Sequence, residues 1–522
     1  NKGIFTSCKK NDDCPPWSIQ AEKIKHDKVK KQLVYDSAKL KIYDVPVLYF
    51  PKFFHPDPTV KRQSGFLKPE INNSNILGSS ITLPYFKTIS KNKDLTIVPT
   101  WFDSNTLMSS FEYREVNKNS KLIADMGYVT GYKSNTTNKK KDASHLFLNY
   151  NLDLNLEHYI SSDLEISLER VSNDNYLNVF DQHITKSILR PKNFNNLNNN
   201  FKIFLNHNDF NFETGFQSFE NLQISKGSDR YQYILPYYNF NRIINQDYLS
   251  GNINFNSSGN NDLSSTNSLK SSFVNNLTYN SLDYISNLGL KNNFNFVFQN
   301  LNSIGKKNSQ YKSSPQIELA GLFNIDLSLP LEKNNQRYSN LLTPKLSFRF
   351  NPSDMKDYSS SENRIDANNV FAINRLGLSD TLETGRSITL GLDFRKEKKD
   401  DLKKINNYFE VKLATVLRDK VEKFIPNKSS IHRKNSNLFG SITTKFIKNL
   451  DLGYNFALDN DFNTFEYNDL SATYSINNFV TTFNFIEENG ESGDSSVLSN
   501  SIEYNIDDKN FFTLKTRRNR KL

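Results

Sequence analysis

Two cysteines are the residues of this chain with the most distinctive chemistry. Cys8 and Cys14 lie close together near the start, without the Cys-x-x-Cys spacing or the paired histidines of a metal site. Two cysteines in a strand-rich chain favour a disulfide formed in an oxidising compartment such as the periplasm. Two free thiols are the alternative.

The usual motifs of catalysis and cofactor binding are absent from the sequence. There is no His-Glu-x-x-His, no Walker glycine loop, no Gly-x-Gly-x-x-Gly and no Gly-x-Ser-x-Gly. A serine and a histidine meeting across strands, as in barrel lipases, is the alternative that remains. The sequence therefore predicts a protein that is not an enzyme and needs no cofactor. The seven histidines are isolated from one another: His26, His55, His145, His158, His183, His207 and His432.

The chain is basic, with a formal net charge of +10 and an isoelectric point of about 9.1. Its lysines and arginines are scattered rather than collected into one stripe. The run Lys139–Lys141 lies in a polar stretch and is expected to be solvated. The charge pattern therefore does not predict a nucleic-acid partner.

A two-residue alternation of apolar and polar side chains runs through most of the sequence, for example at Leu148–Glu157, Ile388–Phe394 and Thr482–Phe485. Successive side chains of a strand point to opposite faces, so each such segment has one apolar and one polar face. Hydrophobic residues make up 36% and the mean hydropathy is −0.63. A barrel that averages a lipid-facing surface with a polar lumen has this composition. The pattern predicts an all-β fold, a large antiparallel transmembrane β-barrel.

Prolines and strand spacing suggest three regions. Residues 1–50 read as the last strands of a periplasmic β-jelly-roll, 51–63 as a proline-rich linker, and 64–522 as a barrel of about two dozen strands. The chain starts without Met and ends on a basic stretch, so we expect a fragment whose last barrel strands are missing. A barrel of this size has a lumen that needs a plug. No segment resembles a compact plug, so a partner is expected to supply it.

Several segments between Cys8 and Trp101 carry a specific pattern: Cys8–Trp17, Val45–Pro51, Phe54–Pro69, Leu83–Phe86 and Asp94–Pro99. This pattern resembles the LptD family of lipopolysaccharide-assembly proteins, in the form expected of an α-proteobacterium. A weaker similarity lies at Leu514–Lys521. Between these stretches only the strand alternation supports the resemblance.

The resemblance implies an outer-membrane translocon with a barrel of about 26 strands, near the large end of the usual range. Such a protein receives lipopolysaccharide from an LptA-type periplasmic bridge and inserts it into the outer leaflet through a lateral gate between strands. An LptE-type lipoprotein plugs the lumen, and the barrel-assembly machinery inserts the barrel. The N-terminal part lies in the periplasm.

The resemblance also suggests roles for individual residues. Pro69 and Pro84 match the gate prolines of the first two barrel strands, where each proline lacks a ladder donor; ordinary strand-end prolines are the alternative. Lys61 and Arg62 precede the first strand, where they could contact lipid phosphate or form a solvated turn. Cys8 matches the jelly-roll cysteine, whose partner is either Cys14 or a cysteine of the missing C-terminal segment.

Two other classes of protein compete with the translocon. A porin or ligand-gated solute-transport barrel requires a folded plug or constriction loop within the chain, and the sequence suggests none. A surface adhesin or structural β-protein predicts internal repeats, which the sequence lacks.

Overall fold

The computed structural model describes residues 3–5, 17–42, 45–57, 59–60, 62–134, 137–184, 187–224, 229–244, 250–264, 267–308, 310–399, 407–506 and 510–520. Strands dominate this part of the chain. Its two α-helices are single turns, α1 (Tyr176–Val179) and α2 (Asp181–Ile184). No helix among the described residues has the length and apolarity to cross a membrane.

A small five-stranded sheet comes first. Its order is β1-β2-β4-β3, with β5 also paired to β4. Tyr35 and Ala38 of the central strand are fully buried and pack with Ile19 and Ala21. The last strand continues to Pro56, so strand structure extends into the range 51–63 that reads as a linker in the sequence. The strands are β1 (Gly3–Phe5), β2 (Trp17–Ala21), β3 (Lys23–Asp27), β4 (Gln32–Ile42) and β5 (Val45–Pro56).

The remaining strands form one antiparallel sheet in the order of a closed barrel, so the predicted all-β barrel is confirmed. Neighbours in sequence are neighbours in the sheet, which is the up-and-down arrangement that short turns permit. The first of them are β6 (Gly65–Phe66), β7 (Glu70–Ser74), β8 (Gly78–Thr82), β9 (Tyr85–Ser90), β10 (Lys93–Phe102), β11 (Leu107–Val116), β12 (Ser120–Ser134), β13 (Thr137–Asp153), β14 (Ser161–Val171), β15 (Asn196–Asn206) and β16 (Phe210–Asn221).

The sheet continues with β17 (Tyr231–Ile244), β18 (Gly251–Ser264), β19 (Leu269–Ser281), β20 (Tyr284–Ile285), β21 (Lys291–Lys306), β22 (Gln316–Ser328), β23 (Leu331–Asn334) and β24 (Tyr338–Asn351). It is completed by β25 (Gly385–Lys398), β26 (Tyr408–Arg418), β27 (Leu438–Thr444), β28 (Leu450–Leu458), β29 (Phe465–Ile476), β30 (Phe479–Glu488), β31 (Ser495–Asn505) and β32 (Phe511–Asn519). Several pairs of short segments, such as β6 with β7, are two parts of one wall strand.

Alternating burial separates an inner from an outer face of the sheet. In β12, Met126 and Tyr128 expose 43% and 49% of their surface, whereas Asp125 and Val129 are buried. Exposed apolar side chains on one face and polar ones on the other are the arrangement of a barrel wall in lipid. We call the face of Asp125 and Val129 the inner face.

The connection 172–195, between β14 and β15, folds onto this inner face. It carries α1 and α2, and its buried Leu177 and Phe180 pack in one cluster with Val129 and Phe147. The two helices are too short to be stable alone, so packing against the wall is what fixes them.

A second connection, 352–384 between β24 and β25, folds inward in the same way. Arg375 within it donates hydrogen bonds to Ser387 and Thr389 of β25, while the intervening Ile388 is exposed on the other face. The sequence suggests no such inward segment, and the expectation that a partner supplies the plug stays a prediction. Sequence periodicity missed both segments because they are irregular and owe their structure to the wall they cover.

By its internal contacts the chain divides into two compact units. The first holds 1–154, 164–200 and 221–223, and the second holds the other residues. The connection 172–195 belongs to the first unit, and the connection 352–384 belongs to the second.

Candidate functional site

The first hairpin of the barrel is interrupted in both of its strands. Leu67–Pro69 separate β6 from β7, and Leu83–Pro84 separate β8 from β9. On one side of the breaks Phe66 pairs with Tyr85, and on the other side Glu70 pairs with Thr82. Three residues thus face two, which is a local bulge that disrupts the ladder.

Each break leaves a ladder pair with only one hydrogen bond. The Leu67 N–H donates to the Pro84 carbonyl at 2.8 Å, and the Leu83 N–H donates to the Pro99 carbonyl at 3.2 Å. A regular hydrogen-bonded pair exchanges two such bonds. Neither proline has an N–H to return, so the second strand is held weakly on both of its sides.

The sequence interpretation missed Pro99. This residue lies on β10, paired with Ser109 of β11, and it faces the break in the second strand. A signal was available, because Pro69, Pro84 and Pro99 recur at a constant spacing of fifteen residues (84 − 69 and 99 − 84). Constant spacing across short hairpins brings the three prolines to neighbouring places in consecutive strands.

A cavity of about 570 Å³ lies on the inner face beside the breaks. Three residues of the breaks line it, namely Leu67, Lys68 and Pro84, and so do His183 and Ile184 of α2. The other lining residues are mostly polar side chains of the wall: Glu70, Asn72, Thr82, Thr96, Thr100, Ser110, Glu112, Arg114, Asp125 and His145. A cavity lined by both polar and apolar groups therefore borders the broken part of this wall.

A hydrogen bond fastens the inward connection over this cavity. The Tyr176 hydroxyl of α1 lies 2.7 Å from Nδ1 of the buried His145. Burial raises the pKa of Tyr176, and the nearby Asp125 adds to that effect, so the hydroxyl stays protonated and able to donate to Nδ1. Nε2 of the same ring lies 3.4 Å from Oδ1 of Asp125.

His183 of α2 closes the other side of the cavity. Its ring packs edge-on against Phe102, with centroids 4.9 Å apart. Burial lowers the pKa of His183, so the ring remains neutral at neutral pH. The residues with which α2 lines the cavity are thus uncharged, and the charged lining residues lie on the wall.

Arg62 lies just before the first strand and is engaged by the wall. Its guanidinium contacts a carboxylate oxygen of Asp94 and donates to the Lys91 carbonyl at 2.9 Å. The other oxygen of Asp94 accepts from Nε of Arg114 at 2.7 Å. Sequence reasoning missed Asp94 and Arg114 because only the register of β10 with β11 brings them together.

Three further residues singled out in the sequence lie outside the described residues: Cys8, Cys14 and Lys61. Within the described part of the chain there is no group of three or more His, Cys, Asp or Glu side chains able to hold a metal ion.

The second unit holds a buried charge cluster that fixes the connection 352–384. Arg375 donates two hydrogen bonds to the carboxylate of Glu383, at 2.7 and 2.5 Å. Arg418 of β26 contacts the same carboxylate, and Arg349 of β24 lies 3.9 Å from it. All four side chains are at most 5% exposed.

The carboxylate of Glu383 is ionised in this cluster. Burial works to raise the pKa of Glu383, but the guanidinium of Arg375, followed by those of Arg418 and Arg349, outweighs it, and the pKa is lowered. Arg349 also donates to the Ala372 carbonyl at 2.9 Å. The connection is therefore tied to the wall through both side chains and backbone.

A sequence profile described as "LptD: LPS transport system D" matches residues 142–509, more than half of the chain. These are the residues in which only strand alternation supported the resemblance, so the match is independent of the segments between Cys8 and Trp101.

Curated relatives named LPS-assembly protein LptD align with parts of the chain. The protein of Idiomarina loihiensis is 28% identical over 176 residues, 34% of this chain and 22% of the relative. That of Legionella pneumophila strain Paris is 34% identical over 119 residues, 23% of this chain and 14% of the relative. That of Cupriavidus necator is 29% identical over 226 residues, 43% of this chain and 26% of the relative. The chain thus aligns with about a quarter or less of these relatives.

Two solved structures show a remote likeness. The alcaligin outer membrane receptor FauA of Bordetella pertussis matches with a TM-score of 0.29 and 8% identity, over 93% of this chain and 79% of that one. A bacterial polysaccharide outer membrane secretin matches with a TM-score of 0.16 and 8% identity, over 67% and 86%. Both TM-scores are too low to bear on fold or function.

Proposed function

This chain belongs to the LptD family, and we propose that it forms the barrel of a translocon that inserts lipopolysaccharide into the outer leaflet through a lateral gate. The family is one of transport and assembly, so the chain is not an enzyme. A barrel of this family is an outer-membrane protein. The substrate, the gate and the partners are our proposals.

The observation that carries the proposal is the doubly broken first hairpin beside a cavity lined by both polar and apolar groups. Lateral release requires two neighbouring strands to separate while the rest of the wall stays intact. Each missing ladder bond weakens a pair by about 0.5–1.5 kcal/mol. Pro69 and Pro84 lie in the two breaks, and Pro84 also lines the cavity from which a headgroup would leave.

We further propose the following roles for the other parts of the chain. Residues 1–50 end a periplasmic jelly-roll fed by an LptA-type bridge, 51–63 link it to the barrel, and 64–522 form the barrel with an LptE-type plug. The barrel-assembly machinery inserts it. Arg62, with Lys61, contacts lipid phosphate, and Arg62 does so through the part of its guanidinium that its bond to Asp94 leaves exposed.

For the cysteines we propose that Cys8 is disulfide-bonded in the intact protein, to Cys14 or to a C-terminal cysteine. Thiol labelling of the unreduced full-length protein tests this, and complete alkylation of Cys8 contradicts it.

The test of the gate is the double replacement Pro69→Ala, Pro84→Ala in the full-length protein. Pro84→Ala restores an N–H that can return the bond from Leu67, and Pro69→Ala restores a backbone donor in the other break, so the sheet is not weakened and the barrel still assembles. We expect surface delivery of lipopolysaccharide to fall further in the double variant than in either single variant. Delivery is measured by surface labelling, and assembly by heat-modifiable migration in gels.

The matched control is Pro344→Ala in β24. Pro344 also accepts a one-sided ladder bond, from the Leu329 N–H at 3.1 Å, beside the break at Leu329–Pro330 between β22 and β23. On its other side β24 keeps a continuous ladder with β25. We expect this variant to deliver lipid normally. If the double variant assembles and delivers at the wild-type rate, Pro69 and Pro84 are ordinary strand-end residues.

A further inference from the structure

At the start of the first barrel strand, side chains add to a short backbone ladder. The backbone ladder between β6 and β9 contains only the pairs Gly65 with Phe86 and Phe66 with Tyr85. Next to it, the Ser64 hydroxyl accepts a hydrogen bond from the Thr88 N–H at 2.9 Å. We call this end of the strand, before the proline break, its proximal end.

Arg62 connects the start of the first strand to both the second and the third strand. Its guanidinium lies over the ring of Phe86 in β9, 5.9 Å from the centroid, and reaches Asp94 of β10. Its other contact, the Lys91 carbonyl, lies in the turn between those strands. A single side chain thus bridges the first and third strands over the second.

Asp94 is the centre of the attachment. Its side chain is only 8% exposed, and its two oxygens are taken by two different guanidinium groups, those of Arg62 and Arg114. A carboxylate this deeply buried is costly without such partners. Since Arg114 stands on β11, the cluster joins the strand start to the fourth strand as well.

We propose that Arg62, Asp94 and Arg114 form a latch that fixes the proximal end of the first strand, so that separation of the strands is confined to the part beyond the proline breaks. The inference rests on the proposed lateral gate and adds its fixed end. The breaks permit opening, and the latch decides where opening stops.

The test measures whether the proximal end stays paired. Phe66 and Tyr85 are registered partners whose rings pack 5.1 Å apart, so the pair Phe66→Cys, Tyr85→Cys in the full-length protein reports pairing at the last step before the break. A short bifunctional thiol reagent bridges the two cysteines, and mass spectrometry of the linked peptide separates this product from any product of Cys8 or Cys14.

In this background we expect Asp94→Asn and Arg62→Gln to slow bridging about two- to fivefold, the effect of a partly exposed ion pair. Arg62→Lys keeps the charge and should recover part of the rate. Added salt should slow bridging with the latch intact and have no effect in Asp94→Asn. A purely structural role for Asp94 would not produce this loss of salt dependence.

The control is Lys87→Gln, an exposed neighbour on β9, which should bridge at the unmodified rate.

Heat-modifiable migration shows which variants fold, and Arg62→Gln remains available if Asp94→Asn does not. An unchanged bridging rate in a folded Arg62→Gln variant, with lipopolysaccharide delivered normally, overturns the latch and leaves the gate standing. Failure of the protein with the intact latch to deliver lipopolysaccharide defeats the proposed function instead, whatever the bridging rates.

Discussion

The first hairpin and the wall around β24 differ in how continuously their strands are paired. Every residue from Tyr338 to Asn351 of β24 has a registered partner in β25, although Pro344 lies among them. The first strand has two short paired segments separated by a break. Around β24 the missing donor and the break at Leu329–Pro330 lie on one side, and the ladder to β25 on the other side is continuous. At the first hairpin, prolines in three neighbouring strands concentrate the loss in one place.

The two inward connections, 172–195 and 352–384, likewise differ in how firmly they are held to the wall. The connection 352–384 is held by a buried carboxylate among three guanidinium groups, while 172–195 is held to the wall by apolar packing and by neutral hydrogen bonds such as that between Tyr176 and His145. Buried charge pairs resist partial loosening, because losing one partner leaves the other charge buried and unpaired. The covering beside the breaks is therefore the one that can move, and the other serves as a fixed part of the wall.

The largest expected effect tests the fixed wall. Glu383→Gln removes the carboxylate that Arg375, Arg418 and Arg349 share and should destabilise the connection 352–384 by about 3–5 kcal/mol. Limited proteolysis of the folded barrel should then cleave within this connection, which resists in the unmodified protein. Glu362→Gln is the control, since Glu362 is 79% exposed and pairs only with Lys428 at the surface.

The pH dependence follows from the lowered pKa of Glu383. A carboxylate whose pKa is depressed on folding contributes stability above its unfolded pKa and loses it as the pH falls through the folded value. Protection of the connection should hold down to about pH 5, above the ordinary range of Glu. Cleavage of the unmodified protein at that pH would contradict an ionised Glu383.

The sequence pattern predicts the strands well because alternating apolar and polar residues correspond directly to the two faces of a strand. Ile388–Phe394 lies within β25, and Leu107–Glu115 lies within β11. The pattern fails at 131–144, which reads as a polar loop but is mostly strand, β12 reaching Ser134 and β13 starting at Thr137. Ladder hydrogen bonds are made by the backbone, so polar residues can continue a strand.

The site was only partly predictable for the same physical reason. Prolines are visible in a sequence, and their effect on a ladder is local. The partners of Arg62 are twenty or more residues away along the chain, and only register brings Asp94 and Arg114 beside it. The packing of Leu177 and Phe180 on the wall is likewise tertiary and has no periodic signature.

A smaller effect tests the movable covering. Tyr176→Phe removes the hydrogen bond to His145 and leaves a buried ring nitrogen without its donor, which should loosen the connection 172–195 by about 1–2 kcal/mol. Proteolysis in this connection should become faster while the barrel still assembles. Tyr150→Phe, on β13, is the control. Equal cleavage rates for both variants would mean that apolar packing alone holds the covering.

The smallest effect concerns the third proline. Pro99→Ala restores an N–H that can return the bond from Leu83, completing one pair between the second and third strands. The added bond should stabilise this pair by about 0.5–1 kcal/mol. Delivery of lipopolysaccharide should fall less than in the Pro69→Ala, Pro84→Ala variant, because opening between the first two strands does not require the second to leave the third. A loss as large as that of the double variant would instead mean that the second and third strands also separate, and the boundary of the movable wall would then lie at β10.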